Sequence, residues 1–88
     1  MSFNFKYVFE KMVYEASASP MSEEEGKKLF TISIIDKQHA KKYGEIMTAT
    51  EAEKDKNNWN ITHVPTNYDG EFYKAVQVWF NTYMKKLN

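Results

Sequence analysis

The last segment of the chain, from Glu71 to Leu87, limits the fold most strongly because its aromatic residues recur at helical spacing. On a helical wheel the apolar residues of this segment cover an arc of roughly 180°, whereas a helix that lies on one sheet needs a stripe of little more than 100°. We therefore predict a C-terminal amphipathic helix that carries more apolar surface than one sheet face covers. The residues across the arc are, in order, Met84, Tyr73, Phe80, Leu87, Val76, Tyr83, Phe72, Trp79 and Ala75.

Polar residues at both ends of this segment also fit a helix. Asp69 is a good N-cap, and Glu71 lies in the first turn, where negative charge interacts favourably with the helix dipole. Lys85 and Lys86 lie in the last turn, where positive charge is favourable. These signals start the predicted helix directly after the turn sequence PTNYDG.

The beginning of the chain alternates between apolar and polar residues. Phe3, Phe5, Tyr7 and Phe9 would share one face of a strand, and we predict a single strand from Phe3 to Tyr14. A helix stays open as the alternative, because apolar residues also recur at i, i+3, i+4 and i+7 spacing. That second set is Phe5, Val8, Phe9, Met12, Val13 and Ala16.

Turn-forming residues interrupt this pattern. Ser19 and Pro20 are predicted to open one helical turn, because proline suits the first helical position. The sequence KLFTISIID then predicts the clearest strand in the chain, since Phe30, Ile32 and Ile34 alternate with hydroxyl residues.

The middle of the chain has two interpretations. One is a helix from about Lys37 to Lys56, and the other is a strand GEIMTAT, a charged turn EAEKDKNN and a strand WNITHV. Gly44 and the β-branched threonines disfavour one long helix, so we predict the two strands, with Pro65 ending the second.

These elements predict an α+β fold. We expect a small antiparallel meander of about four strands, with the C-terminal amphipathic helix packed on one face. A length of 88 residues predicts one compact domain, residues 1–88.

Composition excludes several classes of protein. Cysteine is absent, which removes disulfides and thiolate metal sites. All twelve cations are lysines, balanced by twelve acidic residues, and the absence of arginine removes the bidentate group best suited to phosphate and guanine. No secretion signal and no apolar run of about 20 residues is present, so we predict a cytoplasmic protein without membrane contact.

Candidate catalytic and metal-binding residues are few. Asp36 and His39, spaced i, i+3, make at most half of a metal site, and His63 is expected to pack on a strand face beside Trp59 and Ile61. No nucleophile motif and no glycine-rich phosphate loop occurs. We therefore predict a non-enzymatic protein with no catalytic residue, metal or cofactor.

The over-wide apolar arc predicts a protein-binding function. Trp, Tyr and Met are enriched at interface centres, so one edge of the arc is expected to contact a partner protein or a second copy of the chain. The predicted contact residues are Trp79, Tyr83 and Tyr73, with Trp59 as a contributor. Small size and arginine-free composition fit an inhibitor, immunity or accessory factor of a phage or mobile element.

The alternative function is binding of single-stranded nucleic acid. Three lysine pairs gathered beside exposed aromatic rings would form a stacking surface for bases. A net charge of zero counts against this alternative, because nucleic-acid-binding domains are usually basic. The six lysines are Lys27, Lys28, Lys41, Lys42, Lys85 and Lys86.

Overall fold

A computed structural model describes residues 2–21, 28–52, 58–63 and 70–87. In this part of the chain five strands form one antiparallel sheet in the order β1-β2-β3-β4-β5, so the predicted α+β meander with a C-terminal helix is confirmed. The sheet has five strands, where about four were expected. The elements are β1 (Phe3–Phe9), β2 (Met12–Pro20), β3 (Leu29–Ile34), α1 (Lys37–Tyr43), β4 (Ile46–Glu51), β5 (Trp59–His63) and α2 (Gly70–Leu87).

The additional strand arises from a hairpin near the start of the chain. Glu10 and Lys11 have positive φ angles of 51° and 66°, and Phe9 pairs with Met12 across them. Two consecutive left-handed residues are the geometry of a two-residue type I′ turn. The predicted single strand from Phe3 to Tyr14 is therefore wrong, and the helix alternative for this segment is wrong as well.

Pro20 lies in a strand and does not open a helix. It ends β2, where it pairs with Phe30 of β3. The N–H of the following residue, Met21, donates a hydrogen bond to the carbonyl oxygen of Leu29 at 2.9 Å. Every second residue of an antiparallel strand bonds to the same neighbour, so the residues of β2 that bond to β3 are the odd-numbered ones. The nitrogen of Pro20 thus points away from β3, and no β2–β3 hydrogen bond is lost. The predicted helical turn at Ser19 and Pro20 is wrong.

The middle of the chain contains both predicted strands, preceded by a short helix that starts at Lys37, where the alternative helix was placed, but ends at Tyr43. The alternative of one helix to about Lys56 is therefore wrong. The strands are β4 and β5, while the predicted turn between them lies largely outside the described residues, as does Asp69. The helix α1 begins after Asp36, whose side chain accepts a hydrogen bond from the His39 N–H. It ends at Gly44, whose φ of 109° favours glycine.

The helix α2 packs on the inner face of the curled sheet and runs antiparallel to β1. Ring contacts follow the two elements in opposite directions: Phe72 meets Tyr7, Phe80 meets Phe5, and Tyr83 stacks on Phe3. Aromatic pairs of this kind add to the stability gained from burying apolar area. The buried core is Phe5, Tyr7, Ala16, Ala18, Ile32, Ile34, Tyr43, Met47, Ala49, Trp59, Phe72, Tyr73, Val76 and Phe80.

A candidate protein-binding cleft

One flank of α2 caps the free edge of β5. The Asn81 side chain accepts a hydrogen bond from the Trp59 N–H at 2.6 Å and donates one to the Trp59 carbonyl at 3.0 Å. One turn earlier, the Gln77 side chain accepts a hydrogen bond from the Ile61 N–H at 2.9 Å. Two side-chain amides, spaced i, i+4 on the helix, therefore replace a sixth strand at this edge.

The opposite flank of α2 borders a cleft of about 310 Å³ beside β1. From the helix, Trp79, Tyr83 and Lys86 line it, and Asn4 and Lys6 line it from β1. Glu15 of β2 also lines the cleft, and its carboxylate accepts a hydrogen bond from the Asn4 side chain at 3.2 Å. The cleft thus joins an aromatic helix flank to the edge of the sheet.

The edge of β1 beside this cleft carries free backbone groups. In β2, the backbone groups of odd-numbered residues form hydrogen bonds with β3, so those of even-numbered residues form hydrogen bonds with β1. The even-numbered residues of β2 pair with odd-numbered residues of β1. The N–H and C=O groups of the even-numbered residues of β1, which are Asn4, Lys6 and Val8, therefore point outward. None of these groups is hydrogen-bonded to any other described residue. Among the described residues, the β1 edge is therefore open, whereas the β5 edge is capped.

Two of the four predicted contact residues lie at the cleft. Trp79 is 37% exposed, and Tyr83 is partly buried with its ring stacked on Phe3 at a centroid distance of 4.8 Å. A large aromatic residue that is exposed beside an open strand edge is available to a partner. The structure thus brings Trp79 and Tyr83 together on one surface.

The other two predicted contact residues belong to the core. Tyr73 is 3% exposed and donates a hydrogen bond to the carbonyl of Tyr43. Trp59 is 4% exposed and packs edge-on against Phe30 and Phe80 at 5.1 and 5.7 Å. The prediction that Tyr73 and Trp59 offer a binding surface is therefore wrong, because the curled sheet and α2 enclose both rings.

The lysine pairs do not form one patch. Lys41 and Lys42 end α1, next to Tyr43, whose ring stacks on Phe72 at the first turn of α2. Lys85 and Lys86 lie at the other end of α2, about 20 Å along a helix that rises 1.5 Å per residue. Lys28 is exposed just before β3, and Lys27 lies outside the described residues.

Away from the cleft, His39 lies in a small polar cluster with Tyr7 and Asp36. Its Nδ1 lies 2.8 Å from the Tyr7 hydroxyl and 3.7 Å from the Asp36 carboxylate. Burial, followed by the charge of Asp36 and the nearby Tyr14, raises the pKa of the Tyr7 phenol well above its usual range. Asp36 caps α1, so its i, i+3 spacing to His39 has a structural explanation.

Within the described ranges, no group of three or more His, Cys, Asp or Glu residues is arranged to hold a metal ion. Neither helix of those ranges is long and apolar enough to cross a membrane. Comparison of the chain with models of protein families, with curated proteins and with solved structures finds no match. The function therefore has to be argued from the geometry of the cleft.

Proposed function

We propose that this protein is a non-enzymatic protein-binding module and that its binding surface is the cleft between α2 and β1. The observation that carries the proposal is the position of Trp79, an exposed aromatic residue next to an open strand edge. Aromatic anchors of this type supply most of the binding energy in protein interfaces. Tyr83, held against Phe3, adds a fixed aromatic wall to the same surface.

The size and chemistry of the cleft favour a protein partner over a small substrate. Its volume of about 310 Å³ is at the lower end of the range for small-molecule sites. Its charged groups are Lys6, Lys86 and a Glu15 carboxylate that is hydrogen-bonded to Asn4. This set lacks a nucleophile paired with a base, which most hydrolytic mechanisms need.

The proposal extends to a biological class. An inhibitor, immunity or accessory factor of a phage or mobile element, acting in the cytoplasm, would need only a small domain with one binding surface. The arginine-free, lysine-rich composition supports that class, and binding of a partner through the cleft is its testable part.

The test is affinity capture with the full chain from a nuclease-treated lysate of its native host, using wild type and two variants in parallel. Trp79→Ala removes the anchor, while Val78→Ala removes the neighbouring side chain, which is 49% exposed and does not line the cleft. We expect a stoichiometric protein partner with wild type and Val78→Ala, and loss of that partner with Trp79→Ala. Equal capture by all three proteins would refute the proposal.

Salt dependence separates the proposed function from nucleic-acid binding. An aromatic protein interface loses little affinity between 50 and 200 mM salt, whereas neutralising several phosphates makes affinity fall steeply over that range. Strong, salt-sensitive retention of a single-stranded oligonucleotide that Trp79→Ala leaves unchanged would favour the nucleic-acid alternative.

A further inference from the structure

We propose that the open edge of β1 binds its partner by strand addition, so that an extended segment of the partner becomes the next strand of the sheet. This inference rests on the proposed function and specifies the partner's conformation. The outward N–H and C=O groups of Asn4, Lys6 and Val8 recur at every second residue, which is the spacing of an antiparallel or parallel ladder. Edge strands with free groups of this kind are templates for peptide binding by β-augmentation.

The surroundings of the edge define which side chains the added segment carries. On the inner side of the sheet, Trp79 and Tyr83 border the cleft and would pack against an apolar residue of the segment. On the outer side, the exposed Lys6 projects from β1, whereas the exposed Lys86 belongs to α2 and borders the cleft from the inner side. Glu15 lies opposite Lys6 on β2, and an acidic residue of the added segment would lie opposite Lys6 on its other side.

The partner segment is therefore an extended peptide in which apolar and acidic residues alternate. Successive residues of a strand face opposite sides of the sheet, so the apolar residues of one alternating pattern meet the aromatic cleft and its acidic residues meet Lys6. The charge complementarity decides which residues are favoured, and the backbone ladder holds the segment in place.

A second copy of the chain fits this edge less well. Lys6 is the central residue of β1, so an antiparallel β1–β1 pair with full overlap would place Lys6 directly opposite Lys6. Like charges at opposed positions of a sheet are destabilising. An acidic residue at that position reverses the sign of the interaction, which favours a different protein as the partner.

The experiment uses a displayed library of random twelve-residue peptides selected on the full chain, followed by affinity measurements on two variants at one position. Lys6→Ala removes the charge and keeps the backbone N–H, whereas Lys6→Pro removes the N–H and puts a ring in the path of an added strand. Proline is tolerated at strand edges where its nitrogen faces solvent. We expect enriched peptides to alternate between apolar and acidic residues, with affinity reduced less than about tenfold by Lys6→Ala and more than about 30-fold by Lys6→Pro.

A chemical variant keeps the test decisive if Lys6→Pro does not fold. A synthetic peptide of residues 1–15 carrying N-methyl-Lys6 can be joined by native chemical ligation to a fragment of residues 16–88 that begins with a temporary cysteine in place of Ala16. Because the chain has no other cysteine, desulfurisation then converts that residue alone to the native Ala16. The methyl group blocks the same edge, and the lysine side chain remains. This protein should lose peptide affinity to the same extent as Lys6→Pro.

The outcomes separate strand addition from the broader proposal. If Trp79→Ala abolishes peptide binding but edge-blocked protein binds normally, the cleft is a binding site and strand addition is wrong. If enriched peptides bind equally well to Trp79→Ala and to the edge-blocked protein, both proposals fail at this site. If no peptide is enriched, strand addition is wrong, and the affinity capture with Trp79→Ala decides the proposed function separately. If wild type instead sediments as a dimer that Lys6→Pro dissociates, the occupant is a second copy, and the inferred acidic partner is wrong.

Discussion

The side-chain amide of Asn81 on α2 hydrogen-bonds both backbone groups of Trp59 on β5, at 2.6 Å to the N–H and 3.0 Å to the carbonyl. The side chain of Gln77 accepts a hydrogen bond from the Ile61 N–H, so the two amides together cap the outer edge of β5. The two edges of the sheet therefore differ in chemistry, although α2 lies between them. Side chains of α2 close the β5 edge, while no described residue covers the β1 edge.

A matched pair of substitutions tests this capping. Asn81→Asp keeps an acceptor for the Trp59 N–H but loses the donor and sets a carboxylate oxygen against the Trp59 carbonyl. Gln77→Glu keeps the only bond that Gln77 makes to Ile61, because an acceptor suffices there. We expect Asn81→Asp to lower the free energy of unfolding by about 2–3 kcal/mol and Gln77→Glu by less than about 1 kcal/mol, measured by urea denaturation. Equal losses for the two variants would contradict the assigned donor and acceptor roles.

The β1–β2 hairpin offers a stabilising change. Glu10 and Lys11 both have positive φ, which costs residues with a Cβ about 1 kcal/mol or more each. Asparagine and glycine are the preferred residues of a type I′ turn. We expect the double variant Glu10→Asn, Lys11→Gly to gain about 1 kcal/mol, or roughly 4–8 °C in Tm for a domain of this size.

The control for the hairpin keeps the left-handed residues but removes their charges. Glu10→Gln with Lys11→Ala leaves a Cβ at both positions, so it should not show the gain. If this control is stabilised as much as the Asn-Gly variant, charge and not backbone conformation accounts for the effect.

Periodic patterns in the sequence predicted most of the fold. The alternation in β3 and the amphipathic spacing of α2 are local properties, and both elements appear where the pattern placed them. The hairpin was missed because Glu10 and Lys11 are not residues that signal a turn, although as two adjacent polar residues they do interrupt the alternation. Here tertiary packing of β1 against α2 outweighs an unfavourable turn sequence.

The candidate site was predicted only in part, because a helical wheel shows which residues are apolar and not which of them are covered. Trp79 and Tyr73 lie on the same apolar arc, yet one borders a cleft and the other is enclosed. The difference depends on the curl of the sheet and on the edge that α2 caps. The signal that was available is the pair Gln77 and Asn81, whose i, i+4 amides mark the flank facing β5.

Exposed and buried aromatic residues on α2 should respond differently to truncation. Phe80 is fully buried between Phe5, Phe30 and Trp59, so Phe80→Ala should cost about 3–5 kcal/mol of unfolding free energy. Trp79→Ala, on the cleft side, should cost no more than about 1 kcal/mol and leave the circular dichroism spectrum unchanged. A loss of several kcal/mol with Trp79→Ala would make that residue part of the core and remove the anchor from the proposed cleft.

The buried Tyr7 phenol predicts a loss of stability at alkaline pH. Burial and the Asp36 carboxylate raise its pKa, so the folded state holds the phenol proton more tightly than the unfolded chain does. This difference in pKa adds to the free energy of unfolding, and the added stability is fully present below a pH of about 10, where the unfolded phenol is protonated. It is lost as the pH rises toward the higher folded pKa, at up to about 1.4 kcal/mol per pH unit. Tyr7→Phe loses the hydrogen bond to His39 and should be less stable at pH 7, yet its free energy of unfolding should fall less steeply between pH 10 and 11.5. Urea denaturation of both proteins at several pH values measures the two slopes, and identical slopes would show that Tyr7 does not control alkaline unfolding.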